Sequence, residues 1–469
     1  MIYNETRYNS QWETKKLSQL GDFARGKSKH RPRNDKRLFE NGKYPLVQTG
    51  EIKAADLYIT AHTQEYGEFG LQQSKLWDAG TLCITIAANI AETAILSYPM
   101  CFPDSVVGFT AYPAESSALF MHYVFTYIRN SIQKSTSGSI QDNINIDYLT
   151  NLDFKIPAKA YQDKIVSVLG AIDKKIALNK RINAELEAMA KTLYDYWFVQ
   201  FDFPDKNGKP YRTSGGAMKW NKQLKREIPK GWKVEPVLSA FDVCYGYPFD
   251  TLLFTEDTTQ TPVVRIRDIL NCETSAYTTE KVDDKYLLKS KDLVIGMDGN
   301  FHMNFWSSVS ALLNQRCVRI RGNGCYSVMQ AYFTSMPYIK AREKNVNRTT
   351  VGHLSADDIK ALYVLTANDD LQKKITAIFE SVLDKICAVK KENEELTRLR
   401  DFLLPMLMNG QATVTDEKNT SSTSNIVKIP KNDDERFSLW LQNQGIAARG
   451  DLDKRTLREI YDAMDDNDK

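Results

Sequence analysis

The chain has no stretch approaching the roughly 18 apolar residues that mark a membrane-spanning helix, and its first residues, MIYNETRYNSQWETKK, are polar where a secretory leader is apolar. Its seven cysteines (Cys83, Cys101, Cys244, Cys272, Cys317, Cys325, Cys387) are odd in number and form no CxxC pair, which argues against zinc and for reduced thiols in a cytoplasm. Five histidines are scattered, and none is paired at metal-ligand spacing. The motifs HExxH, GxSxG and GxGxxG are missing, as is the Asn/Asp-Pro-Pro-aromatic tetrad of amino-methyltransferases. The GxG of Gly322-Asn323-Gly324 lacks a strand–helix context and reads as a turn. An excess of either sign of charge is lacking too. The net charge of +3 does not announce a nucleic-acid binder, so any such site must be local. The expectation is a non-catalytic, cytoplasmic, globular chain of roughly two or three domains.

What is present is a long heptad. From Tyr161 to Val199 the apolar positions step by four and three: Ile165, Leu169, Ile172, Ile176, then Asn179 and Asn183, then Leu186, Ala190, Leu193 and Trp197. No Gly or Pro interrupts the run from Ala171 to Phe203, and at ~1.5 Å per residue it predicts a rod of roughly 55–60 Å. Such a seam must bury itself against another helix. About 210 residues later, Leu371–Leu404 repeats the pattern with Ile375, Phe379, Val382, Ile386, Val389, Asn393, Leu396, Arg400 and Leu403. The two align without a gap, Ile165 on Ile375 and Leu186 on Leu396, with Asn183 and Asn393 at one seam position. A buried Asn there sets register at some cost in stability.

The flanks repeat too. Trp12 with KLSQLGDFARG is echoed by Trp232 with VLSAFDVCYG, Tyr44–Gln48 by Thr261–Arg265, and GTLCI at 80–84 by KDLVI at 291–295. A period this long is a tandem domain duplication. The fold class expected is α+β: a mixed α/β domain at 1–160, a long helix at 161–200, a Gly/Pro-rich connector at 201–230, a second domain at 231–370, a second long helix at 371–410, and a linker with a small helical extension at 411–469, the helices pairing as an antiparallel coiled coil. Ser117–Ile132 reads as a helix and 133–143 as a loop.

Local charge gives the candidate site. Arg25, Lys27, Lys29, His30, Arg31, Arg33, Lys36 and Arg37 crowd one segment against the single acid Asp35. Residues 261–350 carry thirteen Lys/Arg and eight Asp/Glu, with Arg265, Arg267, Arg316, Arg319, Arg321, Arg342, Lys344 and Arg348 prominent. Clustered cations suit phosphate contacts, and Arg, Gln and Asn suit base edges. On charge alone a solvated face accounts for these runs as well.

YQDKIVSVLGAIDKKIALNKRINAELEAMAKTLYDYWFVQFDFP, NGKPYRTSGG before EIPKGW, and LQKKITAIFESVLDKICAVKKENEELTRLRDFLLPMLMNGQ together resemble the specificity subunit of a type I restriction-modification system, over nearly all of 12–413. The resemblance implies that each globular domain reads one half of a split, asymmetric double-stranded DNA sequence, and that the helices set the spacer. It also implies docking of two modification subunits that bring S-adenosylmethionine, and of restriction subunits that bring ATP and Mg. On this footing the base-reading candidates are Gln48 and Thr49, and Arg265 and Arg267 at the equivalent strand end. Further candidates are the loop Ser137, Gly138, Ser139, Gln141 and Asn143 and its counterpart Arg348, Thr349 and Thr350. Lys27, Lys29, Arg31 and Arg33 are expected on phosphates. The extension past 413 departs from the family's pattern. Two other readings stay open: a non-catalytic coiled-coil scaffold, or a stand-alone DNA-binding protein.

Overall fold

A computed structural model describes residues 2–87, 90–136, 148–149, 151–345, 352–414 and 446–448. The chain divides into two compact units, residues 1–177 with the chain from Leu396 onward, and Leu178–Glu395. Four long helices organise them: α1 (Ala118–Thr136), α2 (Lys159–Tyr194), α3 (Val328–Asn345) and α4 (Asp369–Met408).

In the first unit, strands Gly21–Arg25, Val106–Ala111, Leu82–Thr85, Thr93–Leu96 and Tyr58–Ile59 form one sheet in that order. A second sheet runs Gln64–Tyr66, Tyr44–Leu46, Met100–Cys101, Leu76–Trp77. The strand Leu82–Thr85 is buried on both faces, and its pleat feeds two cores: Leu82 and Ile84 point to α1, Cys83 to Val47, Trp77 and Phe102. The first part of α2 and the end of α4 close the larger core through Ile165, Leu169, Ile172, Ile176, Leu399, Leu403 and Leu407. The N-terminal segment ties on here, Thr6 donating its hydroxyl to the Asn409 carbonyl at 2.7 Å.

The second unit repeats this plan. Asp242–Tyr245, Cys317–Arg321, Leu293–Gly296 and Met303–Phe305 make one sheet, and Phe254–Thr255, Tyr277–Thr278, Thr261–Val264, Leu312–Leu313 the other. The parallel pairing of Leu46 with Cys101 recurs as Val263 with Leu312, and the antiparallel pair Asp22–Thr110 as Asp242–Arg321. The pleat of Leu293–Gly296 again splits two cores, Leu293 and Ile295 from Val294. Gly26 and Gly246 occupy one position in the two copies. A Cβ would lie 2.3 Å from the Phe102 carbonyl oxygen at the first and 1.9 Å from the Asn314 oxygen at the second, so each must be glycine for the chain to pass.

Within this unit α2 and α4 run antiparallel. Asn179 Nδ2 donates to Asn393 Oδ1 at 2.9 Å and to Glu392 Oε2 at 2.7 Å, while Asn183, further on in α2, reaches the Ile386 carbonyl, earlier in α4, at 3.4 Å. Asn183 is buried, as are Ile375, Phe379, Val382 and Ile386; Leu186, Leu193, Val389 and Asn393 are half-buried at the seam, and Leu396 is half-buried against the core of the first unit. In the first unit the same sense is set by Asp173 against Arg400 and Tyr161 against Ala412. The rod expected to continue to Val199 stops as α-helix at Tyr194 and finishes in a π turn over Asp195–Val199. That turn aims Trp197 and Phe198 inward, and Phe198, Phe201 and Phe203 all pack on Trp232, the last stacked at 5.0 Å. The connector is therefore folded. It adds a hairpin, Met218–Asn221 with Arg226–Pro229, to the second unit. Of the extension beyond Val414, Ile446–Ala448 pairs antiparallel with Ala412–Val414; the two helices expected there lie outside the described residues.

Candidate nucleic-acid interface

The basic segment leaves the sheet at Gly26 and is pinned to the polar run before Leu76. Lys29 donates its amide to the Gln73 carbonyl at 3.1 Å, and the Ser74 hydroxyl donates to the Lys27 carbonyl at 2.9 Å. Two carboxylates then sort its cations. Asp35 accepts from Arg37 Nη2 at 2.7 Å and contacts His30 Nε2 at 2.8 Å; those hydrogen bonds, Arg37's first, hold its carboxyl well below the usual carboxylate range. Asp104 takes Arg33 at 2.7 Å and Arg31 at 3.6 Å. Arg31 also donates to the Ser28 and His30 carbonyls. Arg37 and His30 both lie against Phe69. Among the described residues the Lys27 and Lys29 ammonium groups keep no ion-pair partner, and both side chains are exposed. Lys75, which the sequence reading passed over, stands one residue beyond Ser74, exposed, its Nζ 3.6 Å from the Trp77 ring centroid. Its only sequence signal is the polar run Gln72–Lys75 interrupting an apolar context. Arg31 and Arg33 are thus fixed in place, while Lys27, Lys29 and Lys75 carry charge that no carboxylate neutralises, Lys75 resting against the Trp77 ring, which suits a polyanion's backbone.

Gln48 caps a short helical turn, Thr49–Ala54. Its amide donates to Glu51 Oε2 at 2.7 Å, and the other oxygen of Glu51 accepts from the Thr63 amide and hydroxyl, at 3.0 and 2.7 Å. This brings Thr63 and Gln64 beside the predicted pair: Gln48 Nε2 lies 3.4 Å from Gln64 Oε1. Gln48, Thr63 and Gln64 are exposed and Thr49 half-buried, and Thr63 and Gln64 line an open cleft of about 570 Å³ together with Phe39 and His62. Two carboxamides side by side offer the donor–acceptor pairs that read an adenine edge.

The same construction recurs in the second unit, where the Arg265 amide donates to Asp268 Oδ2 at 2.8 Å. Here the predicted reader is engaged. Arg265 Nε lies 3.4 Å from Asp268 and Nη2 donates to Ser275 at 2.7 Å, so a base must compete with both, whereas Arg267 is exposed. Most of the other arginines that dominate the charge count are structural: Arg316 pairs with Asp298, Arg319 with Asp242, Arg321 with Asp292, Arg342 with Asp358. Ser137, Ser139, Gln141 and Asn143, and Arg348, Thr349 and Thr350, lie outside the described residues. Burial pushes the Cys101 thiol up to about 11 and that of Cys317 up to about 12, leaving both as neutral thiols. Among the described residues no three His, Cys, Asp or Glu side chains are grouped to hold a metal ion, and no helix is long and apolar enough to cross a membrane.

A family model described as the type I restriction modification DNA specificity domain matches residues 9–188 and again 229–398. The type I restriction enzyme MjaIX specificity subunit of Methanocaldococcus jannaschii is 23% identical over 428 residues, covering 86% of this chain and 94% of that protein. The EcoBI specificity subunit of Escherichia coli is 28% identical over 195 residues, 40% of this chain and 41% of its own. Among solved structures, the S subunit of a type I restriction-modification system from M. genitalium aligns over 87% of this chain and 99% of its own with a TM-score of 0.49 and 15% identity.

Proposed function

This chain belongs to the type I restriction modification DNA specificity family, and from that premise we propose that it is the sequence-reading subunit of a type I restriction-modification complex. Each globular domain addresses one half of a bipartite, asymmetric target in double-stranded DNA. The observation that carries this reading is the duplication itself: two family matches, and two copies of one sheet plan with divergent surfaces around Gln48 and Arg265. Lys27, Lys29 and Lys75 contact phosphates in the first domain. Gln48 with Gln64 reads bases there, and Arg267 leads in the second.

The chain performs no chemistry of its own. Two modification subunits dock on it and bring S-adenosylmethionine, and restriction subunits bring ATP and Mg. The paired helices set the spacer between half-sites, and the complex works in a prokaryotic cytoplasm. Equilibrium dialysis of the isolated chain is expected to detect no S-adenosylmethionine binding, while immobilised chain captures its modification subunit from a co-expressing cell. Retention of the cofactor by the isolated chain overturns the division of labour. Failure to capture the subunit favours the scaffold reading.

A further inference from the structure

The shift that takes Ile165 to Ile375 also takes Tyr123 to Phe333 and Asp173 to Leu383, and carries Arg400 back to Ala190. In the first unit these positions form a hydrogen-bonded chain where α1 meets α2 and α4. The Tyr123 hydroxyl donates to Asp173 Oδ2 at 2.6 Å, and Arg400 Nη1 donates to Asp173 Oδ1 at 3.2 Å. Arg400 is also held by Asp401 at 2.8 Å. The phenol is buried, and the Asp173 side chain is only 10% exposed. In the second unit, where α3 meets the other parts of α2 and α4, the three positions are apolar and buried in one core cluster. Phe333 packs there on Tyr194 at 5.3 Å and Phe379 at 6.2 Å between centroids. One junction places a polar network at these three positions and its duplicate places apolar side chains there, its own hydrogen bond running from Tyr194 to Thr334 at 2.8 Å.

We propose that this contrast is an address that keeps each recognition domain on its own helix junction and prevents exchange between neighbouring chains during folding. Two copies of one fold in a single chain invite that error, because either domain presents the same backbone to either junction. Exchange would set Phe333 against Asp173, depriving the carboxylate of its phenol donor. It would bury the Tyr123 hydroxyl against Leu383 and Phe379, away from its carboxylate acceptor. Were the helical segments to exchange as well, Arg400 would face Leu383 with only its neighbour Asp401 to pair it, and Asp173 would face Ala190, a carboxylate without a partner. The apolar copy demonstrates that closing such a junction does not itself require the network. The network's particular contribution is discrimination.

The test uses the full chain. The triple variant Y123F/D173L/R400A gives the first junction the second's residues and so erases the contrast. After dilution from denaturant, size-exclusion chromatography with light scattering reads the fraction of larger, exchanged species across protein concentrations. The variant is expected to melt near the parent's temperature while that fraction rises roughly tenfold. Leu169→Ala, which only removes core volume, should leave the fraction at the parent's value. An unchanged fraction in the triple variant overturns the proposal, as does an equal rise in Leu169→Ala. Should the triple variant not fold, the nearly isosteric Y123F/D173N is read the same way, with the same expected rise and the same overturning result.

Discussion

Asp242→Ala is expected to destabilise the second unit by about 3 kcal/mol, while Arg319→Met at the other end of the same ion pair costs less than about 1 kcal/mol. Arg319 sits in the middle of Cys317–Arg321 with 2% of its side chain exposed, between neighbouring strands on both sides. Its Nη2 donates to Asp242 at 2.8 Å, and its Nε and Nη1 have no hydrogen-bond partner. Removing Asp242 leaves a buried guanidinium with nothing to offset its desolvation. Because the Asp242 side chain is itself 53% exposed, water recovers part of the loss, which places the cost at the lower end for a broken buried pair. Methionine keeps the stem's packing and removes the charge together with its unsatisfied donors. Thermal melts should put Asp242→Ala roughly 5–10 °C below the parent and the double variant D242A/R319M close to it. Equal losses for the two single variants would mean that Arg319 contributes by attraction and not by the cost of isolating it.

Replacing Lys27, Lys29 and Lys75 together by alanine is expected to weaken DNA binding by the assembled complex roughly a hundredfold, and to lower the slope of log affinity against log salt by about 2.7. The three ammonium groups lie on two segments held together by the Ser74 and Lys29 hydrogen bonds, and none has an ion-pair partner among the described residues. Each is therefore free to release a condensed counterion from DNA. The loss should be uniform across sequences and leave the recognised motif unchanged. Gln48→Ala should instead relax discrimination at one base by ~1–3 kcal/mol with little change in salt slope. A motif altered by the lysine variant would move these residues from phosphates to base edges; a salt slope left at the parent's value would take them off the DNA.

The long helices were legible because a four–three stride admits few alternatives, and because Asn179 and Asn183 interrupt the apolar seam at its own spacing. The duplication was legible for the same reason, as two gapless seams fix the alignment of everything between them. Strands of two or three residues, such as Met100–Cys101 and Leu312–Leu313, carry too few side chains to display a period, so the second sheet of each domain came only from the structure. The π turn at Asp195–Val199 was hidden because its apolar spacing continues the helical pattern. Charge misled more than it helped. A count of arginines cannot tell a phosphate contact from Arg321 clamped on buried Asp292, nor Arg265 held by Asp268 and Ser275 from Arg267 beside it. Lys75 went unseen because the pairing of 73–74 with 27–29 brings together residues far apart in sequence.

The central claim is that this chain alone decides which DNA sequence a modifying complex marks, one half-site per domain. Genome-wide methylation mapping of a host carrying the chain with its partner subunits, against a deletion strain and a strain with residues 1–150 exchanged for those of another family member, tests it most directly. The account predicts a bipartite motif whose adenine methylation disappears on deletion, and an exchange that rewrites one half-site while the other half and the spacer persist. A motif that survives deletion, or an exchange that rewrites both halves, would contradict it.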